Sequence, residues 1–68
     1  MRKCVDGDFI DALIAVLLGD DVHYSYKVYN VNDWHILHVW IPGVGGDWAL
    51  AVRFGEDGLE ECWRLEAE

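Results

Sequence analysis

Basic side chains are scarce in this sequence. Five Lys and Arg stand against 13 Asp and Glu, which gives the 68 residues a formal net charge of -8. Proteins bind nucleic acids and anionic membrane surfaces largely through Lys and Arg, which displace counterions from phosphates. The shortage therefore argues against direct binding to nucleic acid or to a membrane, and it favours a partner with a basic protein surface.

The sequence also lacks any catalytic or cofactor motif. The run Gly43-Val44-Gly45-Gly46 is not followed by the Lys-Ser/Thr pair and the helix that a phosphate-binding loop requires. His35 and His38 are three residues apart, a spacing that on a strand sends the two side chains to opposite faces and away from a common metal ion. No combination of nucleophile, base and oxyanion donor is recognisable. We therefore predict a protein that is not an enzyme and that holds no cofactor or metal.

Cysteine is scarce as well. Cys4 and Cys62 lie near opposite ends of the chain, so their spacing indicates no disulfide framework. The first three residues resemble the start of a signal sequence, but the segment that would have to be apolar is broken by Asp6, Asp8 and Asp11. We expect a protein of the bacterial cytoplasm with reduced thiols; one bridge between the terminal segments is the alternative in an oxidising compartment.

Apolar residues, by contrast, make up 53% of the chain, and the first group of them lies between Asp8 and Gly19. Asp8 can accept hydrogen bonds from the first helical turn, Asp11 suits the positive end of the helix dipole, and Gly19 can adopt the left-handed conformation that ends helices. The segment predicts a helix over about residues 9–18, too short to span a bilayer. Because this helix is apolar on almost every side, we expect the sheet to curl around it or a second copy to cover it.

Beyond Gly19 the apolar residues alternate with polar ones, which is typical of strands. The pattern predicts strands over residues 22–28, 34–41, 48–54 and 59–65. Residues 30–33 and 55–58 have the composition of turns, and a Pro and three Gly interrupt the chain between the second and third strands. The last segment could also be a helix, but the turn before it favours a strand.

The predicted fold is a single α+β domain over residues 1–68, with one N-terminal helix packed on a four-stranded antiparallel meander sheet (αββββ). In the second strand, the side chains that can face the helix are Leu37, Val39 and Ile41. The other sheet face, called the reverse face below, then carries Trp34, Ile36, His38 and Trp40. That face is expected to be either an exposed patch or a second buried layer.

On this meander the acidic residues gather at the two ends of the molecule. The end with the helix start and the first and third strand connections holds eight of the 13 acids: Asp6, Asp8, Asp11, Asp33, Glu56, Asp57, Glu60 and Glu61. Helix capping and solubility account for part of this set, above all for Asp8 and Asp11. The candidate partner-binding residues are Asp6, Asp20, Asp21, Asp33, Asp47, Glu56, Asp57, Glu60 and Glu61.

A very small, strongly acidic and aromatic-rich chain without an enzyme motif resembles the anti-CRISPR proteins of phages and mobile elements, including those directed at type I systems. The resemblance is one of size, charge and layout over all 68 residues and carries no signature motif. It implies that the acidic surface imitates the phosphate backbone of DNA and occupies the basic DNA-binding groove of a CRISPR-Cas complex. Because members of this group differ widely in fold, the resemblance implies no role for an individual residue.

A plain protein-interaction module is the alternative prediction. In that case the apolar helix or the Trp34/Trp40 side of the sheet docks a protein partner or forms a weak homodimer of an otherwise monomeric protein. The acidic residues then serve only solubility. Salt dependence of binding distinguishes the two functions, because ions screen contacts between charges and not apolar burial.

Overall fold

The computed structural model describes residues 1–18, 25–41 and 44–66. Its elements are strand β1 (Arg2–Lys3), helix α1 (Asp6–Leu17), and strands β2 (Ser25–Val31), β3 (Trp34–Ile41), β4 (Val44–Gly55) and β5 (Gly58–Glu66). The strands form one antiparallel sheet in the order β1-β5-β4-β3-β2. The predicted α+β class is confirmed, whereas the predicted four-stranded sheet is wrong by one strand, because β1 precedes the helix.

Strand β1 is the element that the sequence did not reveal. Arg2 pairs with Arg64 and Lys3 with Trp63, and the backbone N–H of Cys4 donates to the carbonyl of Cys62 at 3.2 Å. A strand of two residues is too short to show an alternating pattern. Its pairing makes β1 an edge of the sheet and places the start of α1 beside β5.

The same pairing brings the two cysteines together. The structure joins Cys4 to Cys62 in a disulfide, with Cα atoms 5.4 Å apart. The prediction of reduced thiols is therefore wrong for this structure. The sequence separation of 58 residues gave no signal, because the contact arises from a sheet order that sets the first strand against the last.

Helix α1 begins earlier than predicted. Val5 is its N-cap, and Asp8 is the third helical residue and not the cap, with its carboxylate accepting a hydrogen bond from the backbone N–H of Val5 at 2.8 Å. The helix ends at Leu17, and the predicted stop at Gly19 lies outside the described residues. No helix in the described ranges is long and apolar enough to cross a membrane.

The side of α1 that packs on the sheet is narrow and built from small or acidic residues. Asp8 and Ala15 are buried and Ala12 is half-buried, at the i, i+4, i+7 spacing of one helix face. The large apolar side chains of the helix are exposed: Phe9, Ile10, Leu13, Ile14, Val16 and Leu17. The expectation that the sheet covers this helix on every side is therefore wrong for the described chain, and Leu13 and Ile14 lie outside the core.

Alternation divides the sheet side chains between two faces. The face toward α1 carries Val39 and Leu50, which are both buried. The reverse face carries the four β3 residues predicted for it, and it continues onto β4 and β5 through Ala51, Trp63 and Leu65. No second layer covers this face within the described ranges.

The predicted turns and strands are present, but two strands extend further than predicted. Strand β2 continues to Val31, into the segment predicted as a turn at 30–33, and β4 begins at Val44, inside the segment predicted as the connection before a strand at 48–54. Asn32, between β2 and β3, has a φ of 56°, in the left-handed region that Asn tolerates. Strand β5 settles the alternative for residues 59–65 in favour of a strand. Strand β2 is described from Ser25 onward, so the predicted strand residues 22–24 lie outside the described part of the chain.

Candidate functional site

The directions of the strands bring several acidic residues to one end of the sheet. Strands β2 and β4 run toward this end and β3 and β5 run away from it, so the turns at 32–33 and 56–57 are neighbours in space. The antiparallel pairing of β1 with β5 brings the start of α1 to the same end. We call this region the acidic end and define it by Asp6, Asp33, Glu56 and Asp57.

The four carboxylates of the acidic end are exposed, and none of them forms an ion pair with another described residue. Like charges gathered in this way repel one another and reduce the stability of the folded chain. A cationic partner would relieve that repulsion. The acidic end is thus a strongly negative region of the described surface.

Glu60 and Glu61 extend the acidic end along β5, but Arg53 on β4 offsets part of their charge. Arg53 donates from Nη1 to Oε2 of Glu60 at 3.1 Å and from Nη2 to Oε1 of Glu61 at 2.6 Å. Glu61 also accepts from the indole Nε1–H of Trp63 at 3.3 Å. The hydrogen bond from Arg53, followed by that from Trp63, lowers the pKa of Glu61. These two glutamates are therefore less available to a partner than the sequence alone suggests.

Asp8 and Asp11 serve the fold. Asp8 is 2% exposed and accepts from Nη1 and Nη2 of Arg2, both at 2.8 Å, and from Nη1 of Arg64 at 3.2 Å. The hydrogen bond from Arg2 outweighs burial and lowers the pKa of Asp8 to about 2. Arg64 also lies 3.4 Å from Oδ2 of Asp11, and its guanidinium stacks 3.9 Å from the ring centre of Trp48. This buried cluster fastens α1 to β1 and β5.

Arg2 and Arg64 are the two residues of this cluster that the sequence did not reveal. Arg64 is 8% exposed, which is unusual for an arginine, and its Nε–H has no hydrogen-bond partner within the described ranges, although Oε1 of Glu66 is 3.2 Å away. A signal for its burial was present. The strand pattern places Arg64 on the same face as Cys62, which is the face that α1 covers.

The remaining predicted partner-binding residues do not join the acidic end. Asp47 lies toward the other end of the sheet, where its Oδ2 is 2.7 Å from Nε2 of His38, and this hydrogen bond lowers the pKa of Asp47. His35 is on the opposite sheet face, with its ring 5.5 Å from that of Phe54, so the two histidines are separated as predicted. Asp20 and Asp21 lie outside the described residues.

The reverse face of the sheet is a second candidate surface. It contains an open hollow of about 350 Å³ that is lined by Met1, Val31, Trp34, Ile36, Ala51, Trp63 and Leu65. All of these side chains are apolar. The guanidinium of Arg53 lies 5.7 Å from the ring centre of Trp34 at the rim. The hollow can accept an apolar group, and nothing in its lining supplies catalytic chemistry.

Comparison with protein-family models, with curated proteins and with solved structures finds no match to this chain. The functional argument therefore rests on the geometry and the charge of these surfaces.

Proposed function

We propose that the protein is an inhibitor that binds a basic, nucleic-acid-binding protein through its acidic end. The observation that supports this most directly is the convergence of Asp6, Asp33, Glu56 and Asp57, without ion-pair partners among the described residues, at one end of a sheet. Carboxylates on a folded surface are an electrostatic counterpart of duplex DNA, which carries one charge per ~1.7 Å of its axis. A groove lined by Lys and Arg would attract both.

The resemblance in size, charge and layout to anti-CRISPR proteins suggests the first target to test. In this proposal the partner is a CRISPR-Cas surveillance complex of a bacterial host, such as a type I complex. The acidic end would occupy the basic groove through which target DNA enters. The protein would then act by exclusion and would need no chemistry of its own.

The disulfide affects which cellular compartment could contain such a target. Disulfides are rare in the bacterial cytoplasm, where thiols are kept reduced. A cytoplasmic target therefore requires that the protein binds it with Cys4 and Cys62 reduced, or that the bond resists reduction. Binding should accordingly be measured both with and without a thiol reductant.

We expect charge reversal at the acidic end to weaken binding to a purified type I surveillance complex. The triple variant Asp33→Lys/Glu56→Lys/Asp57→Lys should associate roughly 10-fold or more slowly at low salt, because long-range attraction is lost. The affinity of the unaltered protein should fall steeply as salt rises, since the screening length shrinks from about 10 Å at 0.1 M to about 3 Å at 1 M. Surface plasmon resonance over a salt series measures both effects.

Matched single reversals provide the control for this experiment. Asp57→Lys and Asp47→Lys change the net charge equally, but Asp47 lies away from the acidic end and already pairs with His38. Asp57→Lys should slow association more, with both variants keeping the far-ultraviolet circular dichroism of the parent.

Competition between this protein and target DNA for the surveillance complex is the decisive test. A complex that binds a DNA duplex and this protein together, with no mutual loss of affinity, would rule out DNA mimicry.

A second candidate function is that of an interaction module that docks a protein on the reverse face. The apolar hollow between Trp34 and Trp63 favours it. In that case the acidic residues serve solubility alone. Binding would depend weakly on salt, and Trp63→Ser would abolish it while the reversals at the acidic end would not.

A further inference from the structure

We propose that two copies of this chain associate through α1, each covering the outer stripe of the other. The outer stripe consists of Ile10, Leu13, Ile14 and Leu17, at the i, i+3, i+4, i+7 spacing of one helix face. Their exposed fractions are 59%, 60%, 42% and 74%. The outer stripe adjoins the acidic end at Asp6, which precedes Ile10 by one helical turn on the same face, and it does not include Asp33, Glu56 or Asp57. The proposal does not depend on the inhibitor function.

The first argument is the orientation of the helix. The side that packs on the sheet is formed by Asp8, Ala12 and Ala15, while the bulky aliphatic residues face away from it. An isolated chain that placed its larger apolar side chains outward would leave water in contact with them, which is unfavourable. The orientation is reasonable when a partner covers the outer side.

The second argument is the size of the apolar surface. A large apolar side chain offers roughly 200 Å² when fully accessible. The outer stripe, its apolar neighbours on α1 and the C-cap residue Leu18 are each at least 40% exposed: Phe9, Ile10, Leu13, Ile14, Val16, Leu17 and Leu18. Together they expose at most roughly 700 Å², and because Phe9 and Leu18 lie on opposite flanks of the helix, the part that faces one partner is smaller than the roughly 800 Å² of a standard stable interface and needs further contacts beside the helix. The largest apolar patch on a typical monomer is smaller, at about 300–600 Å².

The third argument is the small core of the single chain. Within the described ranges the buried apolar residues are Ala15, Val39 and Leu50. Domains of this length rarely obtain enough stability from one core and are commonly completed by disulfides or by association with another copy. This chain has one disulfide, and contact between two outer stripes would add the missing apolar layer.

The distribution of charge along α1 favours an antiparallel over a parallel arrangement of the two copies. Helix α1 contains no basic residue, and its acids, Asp6, Asp8 and Asp11, all lie in its first half. A two-fold axis near Leu13 would set apolar residues against each other and hold the two acidic helix starts about 21 Å apart along the helix axes. An interface around a two-fold axis uses the same surface of both copies, so association through it ends at the dimer. The reverse face is less suited to self-association, because its ion pairs between Arg53 and Glu61 and between His38 and Asp47 would lose water.

The experiment is sedimentation equilibrium of the full chain over a wide dilution series, for the parent and two matched variants. Leu13→Glu places a charge in the outer stripe, and Val31→Glu places the same charge at a similarly exposed apolar position on the reverse face. We expect the parent and Val31→Glu to be dimers. Leu13→Glu should raise the dimer dissociation constant roughly 100-fold or more while keeping its circular dichroism spectrum, since Leu13 is exposed in the single chain.

A second measurement uses the unaltered protein and so does not depend on how a variant folds. In a mixture of isotope-labelled and unlabelled chains, intermolecular contacts in the filtered nuclear Overhauser spectrum should involve the methyl groups of Leu13 and Ile14. A monomeric parent at all concentrations would overturn the proposal. So would intermolecular contacts from Ile36, or a dimer that Val31→Glu dissociates and Leu13→Glu does not, since these results place the interface on the reverse face.

Discussion

Removal of the disulfide between Cys4 and Cys62 should lower the free energy of unfolding by about 4 kcal/mol, the value that the chain-entropy relation gives for a loop of this length. The bond joins residues 58 positions apart and therefore restricts most of the unfolded chain. The total stability expected for 68 residues is only about 3–10 kcal/mol. The reduced protein should consequently retain at most about 6 kcal/mol, and at the lower end of this range it would be unfolded.

Urea denaturation of the parent, with and without a thiol reductant, measures this effect. The double variant Cys4→Ser/Cys62→Ser is the control, because it should unfold at the lower midpoint in both buffers. Protein concentration must be the same throughout, since association of two copies also stabilises the folded chain. If the parent keeps its midpoint after both thiols have been shown to react with an alkylating agent, the buried Asp8 cluster and not the disulfide holds β1 in place.

The parts of the fold that the sequence predicted well have local causes. Strand β3 is apolar on both faces within eight residues, and the turn before it contains an Asn that adopts the left-handed conformation. Strand β1 has no such cause. Arg2 and Lys3 become a strand only because β5 offers a free edge, and the disulfide follows from that pairing. A contact of this kind depends on the whole sheet order.

For helix α1, the sequence could not predict which side packs on the sheet. The apolar composition of the helix predicts only that other parts of the protein, or a second copy, must cover it. This side is set by the burial of Asp8, which depends on Arg2 of β1 and Arg64 of β5. Once that cluster fixes the rotation of the helix, Ala12 and Ala15 face the sheet and the larger side chains face outward.

The candidate site likewise has one feature that the sequence could predict and one that it could not. The gathering of Asp33, Glu56 and Asp57 at one end follows from their positions in alternate turns of a meander, so it was predictable from the sequence. Their role in binding stays a prediction. The ion pairs of Glu60 and Glu61 with Arg53 were not predictable without the register, which sets Arg53 opposite Glu61.

Asp8→Asn should destabilise the domain by about 3 kcal/mol at neutral pH, in the range seen when one partner of a buried ion pair is removed. The carboxylate is 2% exposed and accepts four hydrogen bonds, from Arg2, Arg64 and the backbone of Val5. An amide has one oxygen to accept with, and its NH₂ group would face a guanidinium that is also a donor. Asp11→Asn is the matched control. Its side chain is 54% exposed, so the same change should cost under about 1 kcal/mol.

The pH dependence separates the charge of Asp8 from its packing. The pKa of Asp8 is lowered from 3.8 to about 2 in the folded chain, chiefly by the hydrogen bond from Arg2. The carboxylate therefore stabilises the fold fully above about pH 4, and this contribution is lost as the pH falls toward 2. Urea denaturation at successive pH values should show the difference between the parent and Asp8→Asn shrinking across that interval. A difference that stays constant down to pH about 2 would assign the effect to the shape of the side chain, and the ion pairs with Arg2 and Arg64 would then contribute little to holding α1 on the sheet.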